Sequence, residues 1–214
     1  MVSDRHGAGT AGETPGMIRW RLHATPCGVL RLGAFGGRLC LCDWADVPAR
    51  DFVVRRLERG LHVRFAEWPN ERLRPGTGLP GIPAEPESNF PDNPDDADRC
   101  VLDRAVRQLD EYFAAQRRTF DIPLLTVGTP FQRAVWELLT EIPPGEIRSY
   151  AWLAARLGHP QAVRAVAAAN RANALSIFIP CHRVVGSDGS LTGYAGGLAA
   201  KRLLLGLEQQ QLLR

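Results

Sequence analysis

Cys181 is followed directly by His182 and Arg183 and preceded by Pro180, and a thiol beside an imidazole and a guanidinium is a side-chain set able to make a nucleophile. The thiolate is the reactive form of cysteine, and a neighbouring base or cation favours it. Ser176 to Pro180 is a short, apolar, strand-like run, and Gly186-Ser187-Asp188-Gly189 reads as a turn, so the thiol is expected where a strand ends. The same residues also suit a buried core strand, in which free cysteine behaves as a small hydrophobe. On these residues alone both readings stand.

The surroundings of this cysteine are cationic. Residues 1–125 carry 17 basic and 18 acidic side chains, net −1, whereas residues 126–214 carry 9 and 5, net +4. From Ile147 to Ser187 the chain has Arg148, Arg156, Arg164, Arg171 and Arg183 without one Asp or Glu. A polyanion such as nucleic acid would feel that field. The alternative is an Arg-rich, Lys-poor chain that uses arginine wherever a solvated cation is wanted, since Lys201 is its single lysine.

The elements that position these residues are well punctuated. Thr129-Pro130-Phe131-Gln132 has the cap, first-turn proline and capping-box glutamine of a helix running to about Glu141. Pro143-Pro144-Gly145 stops it, and Ser149 caps a helix over Tyr150 to Leu157 that Gly158-His159-Pro160 ends. Ala-rich Gln161 to Asn170 follows, giving two short helices around a tight turn, the outline of a helix-turn-helix. Upstream, Ile18 to Leu22, Gly28 to Leu32 and Leu39 to Asp43 are separated by Thr25-Pro26 and Gly36-Gly37, which predicts an antiparallel meander. Asp51 to Leu61 reads as a helix. The span from Pro69 to Pro94 holds seven prolines and reads as an irregular excursion. Asp92 to Asp98 should cap a helix that places Val101, Leu102, Val106, Leu109 and Phe113 on one face and ends near Arg118.

With 214 residues, 45% of them hydrophobic, the chain has material for a sizeable core. The expected class is α/β (α+β). A disordered tail over 1–16 precedes an N-terminal lobe over 17–125 with an antiparallel sheet and helices, and a mostly helical C-terminal domain over 126–214 contains the helix-turn-helix. Met1 to Gly16 has no apolar stretch of the secretory type and no window reaches the length of a membrane span, so a cytoplasmic, nucleoid-associated protein without a membrane partner is expected.

Pro180-Cys181-His182-Arg183-Val184 resembles the active-site signature of the O6-alkylguanine-DNA alkyltransferases, the methylated-DNA–protein-cysteine methyltransferases. Gly128 to Gln132 with Val135-Trp136, Ile142-Pro143 with Gly145, Ser149-Tyr150, Arg164-Ala165-Val166, Asn173, Gly193 to Leu198, Lys201, and Leu204-Leu205 with Glu208 resemble family positions in the same order. The resemblance is dense over residues 128–208, and residues 17–125 fit by outline. It implies irreversible transfer of an alkyl group from O6 of guanine, and from O4 of thymine, in double-stranded DNA to Cys181, with no cofactor and the protein as its own acceptor. His182 would take the thiol proton through a bridging water, Glu208 would orient His182, and Tyr150 would serve the leaving base. Asn173 would pin the turn that carries the cysteine. Arg164 would fill the gap left by a flipped base, with Ala165 and Arg171 on the same DNA-facing helix, while Val184, Tyr194, the Ala195 backbone and Gly196 would line the base pocket. A monomer is implied, with cooperative assembly on DNA left open. Ala195 stands where some relatives have Ser, Ala174 where many have Pro, and Val163 where a smaller residue is commoner.

Five cysteines, an odd number, argue for reduced thiols rather than a disulfide framework. His23, Cys27, Cys40 and Cys42 invite a zinc reading, but their spacing lacks the paired form of a strong zinc signature, and buried thiols are expected. Cys40 and Cys42 should share one strand face, and Cys100 should lie in the core. Two other function classes compete with transfer. A damage-binding module without chemistry leaves Cys181 idle, and a cysteine hydrolase leaves Tyr150, Arg164 and the helix pair unexplained.

Overall fold

The structure, a computed structural model, describes residues 16–67 and 94–212. The expected tail and the proline-rich excursion fall almost entirely outside them. Strands β1 (Met17–Thr25), β2 (Gly28–Phe35) and β3 (Arg38–Trp44) form the expected meander. Gly36 and Gly37 make its second turn with φ of 59° and 70°, a left-handed pair that glycine adopts without a Cβ penalty and that suits the twist of a two-residue hairpin. Helix α1 (Asp51–Leu61) has the predicted bounds. Strand β4 (Arg64–Glu67) was not expected, and it pairs parallel to β1, so the sheet, in order β3-β2-β1-β4, is mixed rather than wholly antiparallel. Four residues are too few to display alternation.

Gly33 pairs with Leu41 and Ala34 with Leu39, which leaves Cys40 as the extra residue of a bulge. Cys40 and Leu41 consequently pack with Ile18, Val53 and Leu57, while Leu39 and Cys42 join the larger core. The expected common face of Cys40 and Cys42 is lost at that bulge. Helix α2 (Pro94–Phe113) ends before Arg118, where Ala115 takes φ of 60° and turns the chain. Cys100 is exposed, one position off the Val101 and Leu102 face, and not in the core.

Helices α3 (Pro130–Thr140) and α4 (Tyr150–Arg156) begin where their caps predict. The Thr129 hydroxyl accepts from Gln132 N, and Ser149 Oγ accepts from Trp152 N. Between them β5 (Arg148–Ser149) pairs parallel with β6 (Val184–Val185). Helix α5 (Val163–Arg171) starts two residues later than expected, after the Pro160 turn, and α6 (Gly197–Leu212) completes the chain. The strand expected over Ser176 to Pro180 is instead a tight turn, with bridges Cys42 to Leu175 and Ser176 to Ile179 and with Ile177 at φ 74°. Isolated bridges satisfy its backbone, so its apolar composition reflects burial and not extension.

The sheet and the helices share one core, which runs from Leu30, Leu32 and Cys42 through Leu102 and Leu109 to Trp136, Val166 and Cys181. The outer edge of β3 is sealed by chain from farther on. Leu39 N donates to Pro123 O and Leu125 N to Leu39 O, at 2.9 and 2.8 Å. Cys42 N donates to Ala174 O and Ser176 N to Cys42 O, at 2.7 and 2.8 Å. Buried Arg50 pairs with Asp43 at 2.8 Å and donates to the carbonyls of Arg171 and Asn173, while Arg56 donates to Ala172 O at 2.7 Å. Two cations thus cap the C-terminal end of α5, the negative end of its dipole.

Removing Arg50 strands the Asp43 carboxylate in the interior. Arg50→Leu is therefore expected to cost about 3 kcal/mol in chemical denaturation, and the added change Asp43→Leu should restore part of it. A loss below about 1 kcal/mol would place the pair with ordinary surface ion pairs instead.

Candidate active site

Cys181, His182 and Arg183 form one turn of 3-10 helix between the Ser176 to Pro180 turn and β6, and all three are buried. Asn173 holds the approach. Its Nδ2 donates to Ile179 O and its Oδ1 accepts from Leu175 N, both at 2.9 Å, and its side chain also hydrogen-bonds Cys181. Asn170, on α5, reaches Cys181 O at 3.4 Å. Burial pushes the Cys181 thiol above its ordinary pKa, against the opposing pull of the Asn173 hydrogen bond and the positive charges of Arg50 and Lys201. The thiol is therefore protonated at neutral pH and needs a base to react.

His182 lies beside it, fully buried, with Nε2 2.9 Å from Glu208 Oε1. Burial lowers its pKa more than the Glu208 contact raises it, so the imidazole is neutral near pH 7. A carboxylate at Nε2 selects the tautomer with the proton on Nε2 and leaves Nδ1 as an acceptor, and Nδ1 has no hydrogen-bond partner among the described residues. That is the arrangement of a general base.

Glu208, at 0% exposure on α6, is the hub of the site. Burial alone would raise its pKa. Hydrogen bonds from His182 and Arg183 and the charge of the guanidinium overcome that and hold it well below the usual carboxylate range. Arg183 Nε and Nη2 reach it at 3.0 and 2.7 Å, Gly145 N at 3.1 Å and the Tyr112 hydroxyl at 2.9 Å. Arg183, read from its position as a cation for the thiol, is thus committed to Glu208 and to Ile142 O, and Arg50 and Lys201 supply positive charge near the sulfur instead.

Tyr150, half-buried at the start of α4, has side-chain hydrogen bonds with Thr192 and Asn170, and burial raises its phenol, so it stays a proton donor. Lys201, lowered to about 8 by burial, donates to Val184 O and Thr192 O and ties β6 to the following loop. In that loop Tyr194 packs edge-on against Trp44 at 5.8 Å between ring centroids, Ala195 is part-buried, and a Cβ on Gly196 would lie 2.3 Å from the Trp44 ring. Tyr194 thereby lies within electrostatic reach of Cys181, and Gly196 is packed on the Trp44 ring of the sheet.

Arg164, Ala165, Ala168 and Arg171 are the exposed residues of α5 and make a slim stripe with a cation at each end. The other arginines of the acid-free stretch are neutralised. Arg148 pairs with Glu146 and Arg156 with Glu141, from outside the stretch, and Arg183 is buried on Glu208. Neither Arg164 nor Arg171 has an ion-pair partner among the described residues. Sequence reasoning missed Tyr112, Asn170 and Arg50, whose partners lie far away along the chain. Among the described residues no His, Cys, Asp and Glu cluster is arranged to hold a metal, and no helix is long and apolar enough to cross a membrane.

Residues 130–210 match the family model of the 6-O-methylguanine DNA methyltransferase DNA-binding domain. A constitutive methylated-DNA–protein-cysteine methyltransferase of Bacillus subtilis (strain 168) is 55% identical over 109 residues, 50% of this chain and 66% of that protein. One from Methanosarcina barkeri is 53% identical over 108 residues, 50% of this chain and 68% of the relative. The aligned segment thus spans about two thirds of these relatives. The fold extends the likeness over more of the chain. The crystal structure of the Mycobacterium tuberculosis O6-methylguanine methyltransferase superposes with a TM-score of 0.66 at 33% identity, covering 91% of this chain and 94% of the other. The same organism's protein in complex with DNA gives 0.65 at 32% identity, covering 90% and 94%. A thiol, a neutral imidazole and a buried carboxylate, on a chain similar to these proteins in sequence and fold, place it in the methylated-DNA–protein-cysteine methyltransferase family.

Proposed function

We propose that this protein repairs double-stranded DNA by flipping O6-alkylguanine, and O4-alkylthymine, out of the helix and transferring the alkyl group irreversibly to Cys181, once per chain. The observation that carries this reading is a buried, protonated thiol beside a neutral imidazole whose Nε2 is held by a carboxylate and whose Nδ1 is unpartnered. His182 accepts the thiol proton through a bridging water. The sulfur attacks the alkyl carbon in line with O6, the carbon–oxygen bond breaks, and a carbon–sulfur bond forms. Negative charge develops on the departing base, the Tyr150 phenol donates a proton to guanine N3, and the proton held by His182 returns to the phenolate through solvent, so the thiol proton is in sum passed to guanine. Asn173 fixes the turn that aims the sulfur. Val184, Tyr194, Ala195 and Gly196 line the base pocket, where the loop's glycines let the backbone approach the ring.

The target atom is unreachable inside stacked duplex DNA, so the base must be extruded. The stripe on α5 suits that task. Small alanines allow close approach to a groove without base-specific contacts, Arg164 occupies the gap in the stack, and Arg171 meets phosphate. The unpaired state of both guanidiniums supports this use, because neither must give up a protein partner to meet DNA.

Incubation with a duplex holding one O6-methylguanine is expected to add one methyl group per chain, mapped by mass spectrometry to Cys181, and Cys181→Ala should gain none while still binding the duplex. A bound but unmethylated wild-type protein would make the chain a damage binder, and multiple turnover would make it a hydrolase. Arg164→Ala is expected to slow repair of duplex roughly tenfold and to leave reaction with the free O6-alkylguanine base unchanged. Equal loss on both substrates would remove the finger role.

A further inference from the structure

Tyr112 lies on α2, 96 residues before Glu208, and its side chain is fully buried with its hydroxyl 2.9 Å from Glu208 Oε1. The same oxygen accepts from His182 Nε2 at 2.9 Å and from Arg183 Nη2 at 2.7 Å, while Oε2 takes Arg183 Nε and Gly145 N. Three residues donate to this one oxygen and share its electron density, Arg183 also through Nε at 3.3 Å. Each bond that Tyr112 and Arg183 draw from Oε1 weakens what that oxygen can give to the His182 N–H. The phenol is a neutral donor on an element far away along the chain, and its ring is fixed against Phe113 and Phe120 at 5.4 and 5.3 Å between centroids. Gln211 on α6 holds the Tyr112 carbonyl at 3.2 Å, so the helix that carries Glu208 and the helix that carries Tyr112 are tied twice.

We infer that Tyr112 is a positioning residue of the transfer reaction, whose hydroxyl moderates the basicity of Glu208 and so keeps His182 in the neutral form that accepts the Cys181 proton. The inference rests on the reading of His182 as the base. The direction follows from the contacts. Without the phenol, Oε1 becomes a stronger acceptor toward His182, the imidazolium is better stabilised, and His182 gains a proton at a higher pH. The other groups facing the pair do not obscure the effect. Lys201, which also disfavours the imidazolium, is lowered only to about 8 and is protonated over the acid limb where His182 changes state, and Tyr194, edge-on to the imidazole at 6.3 Å, is a buried phenol raised well above its ordinary pKa. Cys27 acts electrostatically on Tyr112, but it is a protonated thiol with a raised pKa.

The test is the pH profile of single-turnover methyl transfer to Cys181 in the full chain, read by intact mass, together with an NMR titration of the His182 imidazole. Tyr112→Phe removes only the hydroxyl and keeps the ring packing. Its acid limb and its His182 titration should both move up by about half a pH unit, with the plateau rate above the limb within roughly twofold of wild type. Fluorotyrosine introduced at position 112, a stronger donor of the same shape, should move both in the opposite direction and keeps the test open if the phenylalanine variant folds poorly. A rate lowered evenly at every pH, or an unmoved titration in both variants, would overturn the inference and leave Tyr112 a packing residue. Absence of methyl transfer in the wild-type protein would instead remove the reading of His182 on which it depends.

Discussion

A carboxylate at 0% exposure is among the most expensive groups a fold can bury, and the interior around Glu208 is organised to make that tolerable. Its donors come from three separated stretches of chain, Tyr112, Gly145, and His182 with Arg183. Satisfying that one charge fixes where α2, the loop after α3 and the turn at Cys181 must meet. The imidazole beside the thiol is one hydrogen-bond partner of an ion that would otherwise destabilise the core. Structure and chemistry are therefore satisfied by the same set of hydrogen bonds, and the tautomer of His182 is set by a requirement of burial.

The sheet contributes to the site without supplying Cys181, His182 or Glu208. Its β3 edge is hydrogen-bonded to Ala174 and Ser176, next to Asn173, and Arg50 holds the Arg171 and Asn173 carbonyls between α5 and the cysteine turn. Trp44 stands behind the loop of Tyr194 and Gly196. The region in which family resemblance is weakest thus sets the position of the region in which it is strongest. It does so through the two backbone hydrogen bonds of Cys42 and through the side chains of Arg50, Arg56 and Tyr112.

Local signals in the sequence were read well because they act over three or four residues. Thr129 with Gln132 and Ser149 with Trp152 place the starts of α3 and α4, and Gly36-Gly37 places a hairpin. Where the outcome depends on distant partners the reading fails. Ser176 to Pro180 is apolar because it is buried, and only its pairing with Cys42 distinguishes a turn from a strand. The bulge at Cys40 inverts a face that alternation assigns to Cys42, and the acid-free arginine stretch is partly neutralised by Glu141 and Glu146 from just outside it. Cys181, His182 and Glu208 were legible through motif resemblance, and their proximity is a property of the fold. Tyr112 sits on an apolar helical face where a tyrosine carries no sign of its partner.

The sealed edge of β3 also bears on dynamics. Segments 123–125 and 174–176 are laid onto the sheet as if they were further strands, and the core is continuous from Leu30 to Cys181. Local opening occurs where few buried contacts and few shared backbone bonds must be lost, and neither condition holds around this cysteine. The amides of Cys42 and Ser176 are bonded as part of the extended sheet edge, so the turn that leads to the cysteine can open only together with that edge. The position of the thiol is thereby held by the global stability of the fold rather than by the local stiffness of a loop.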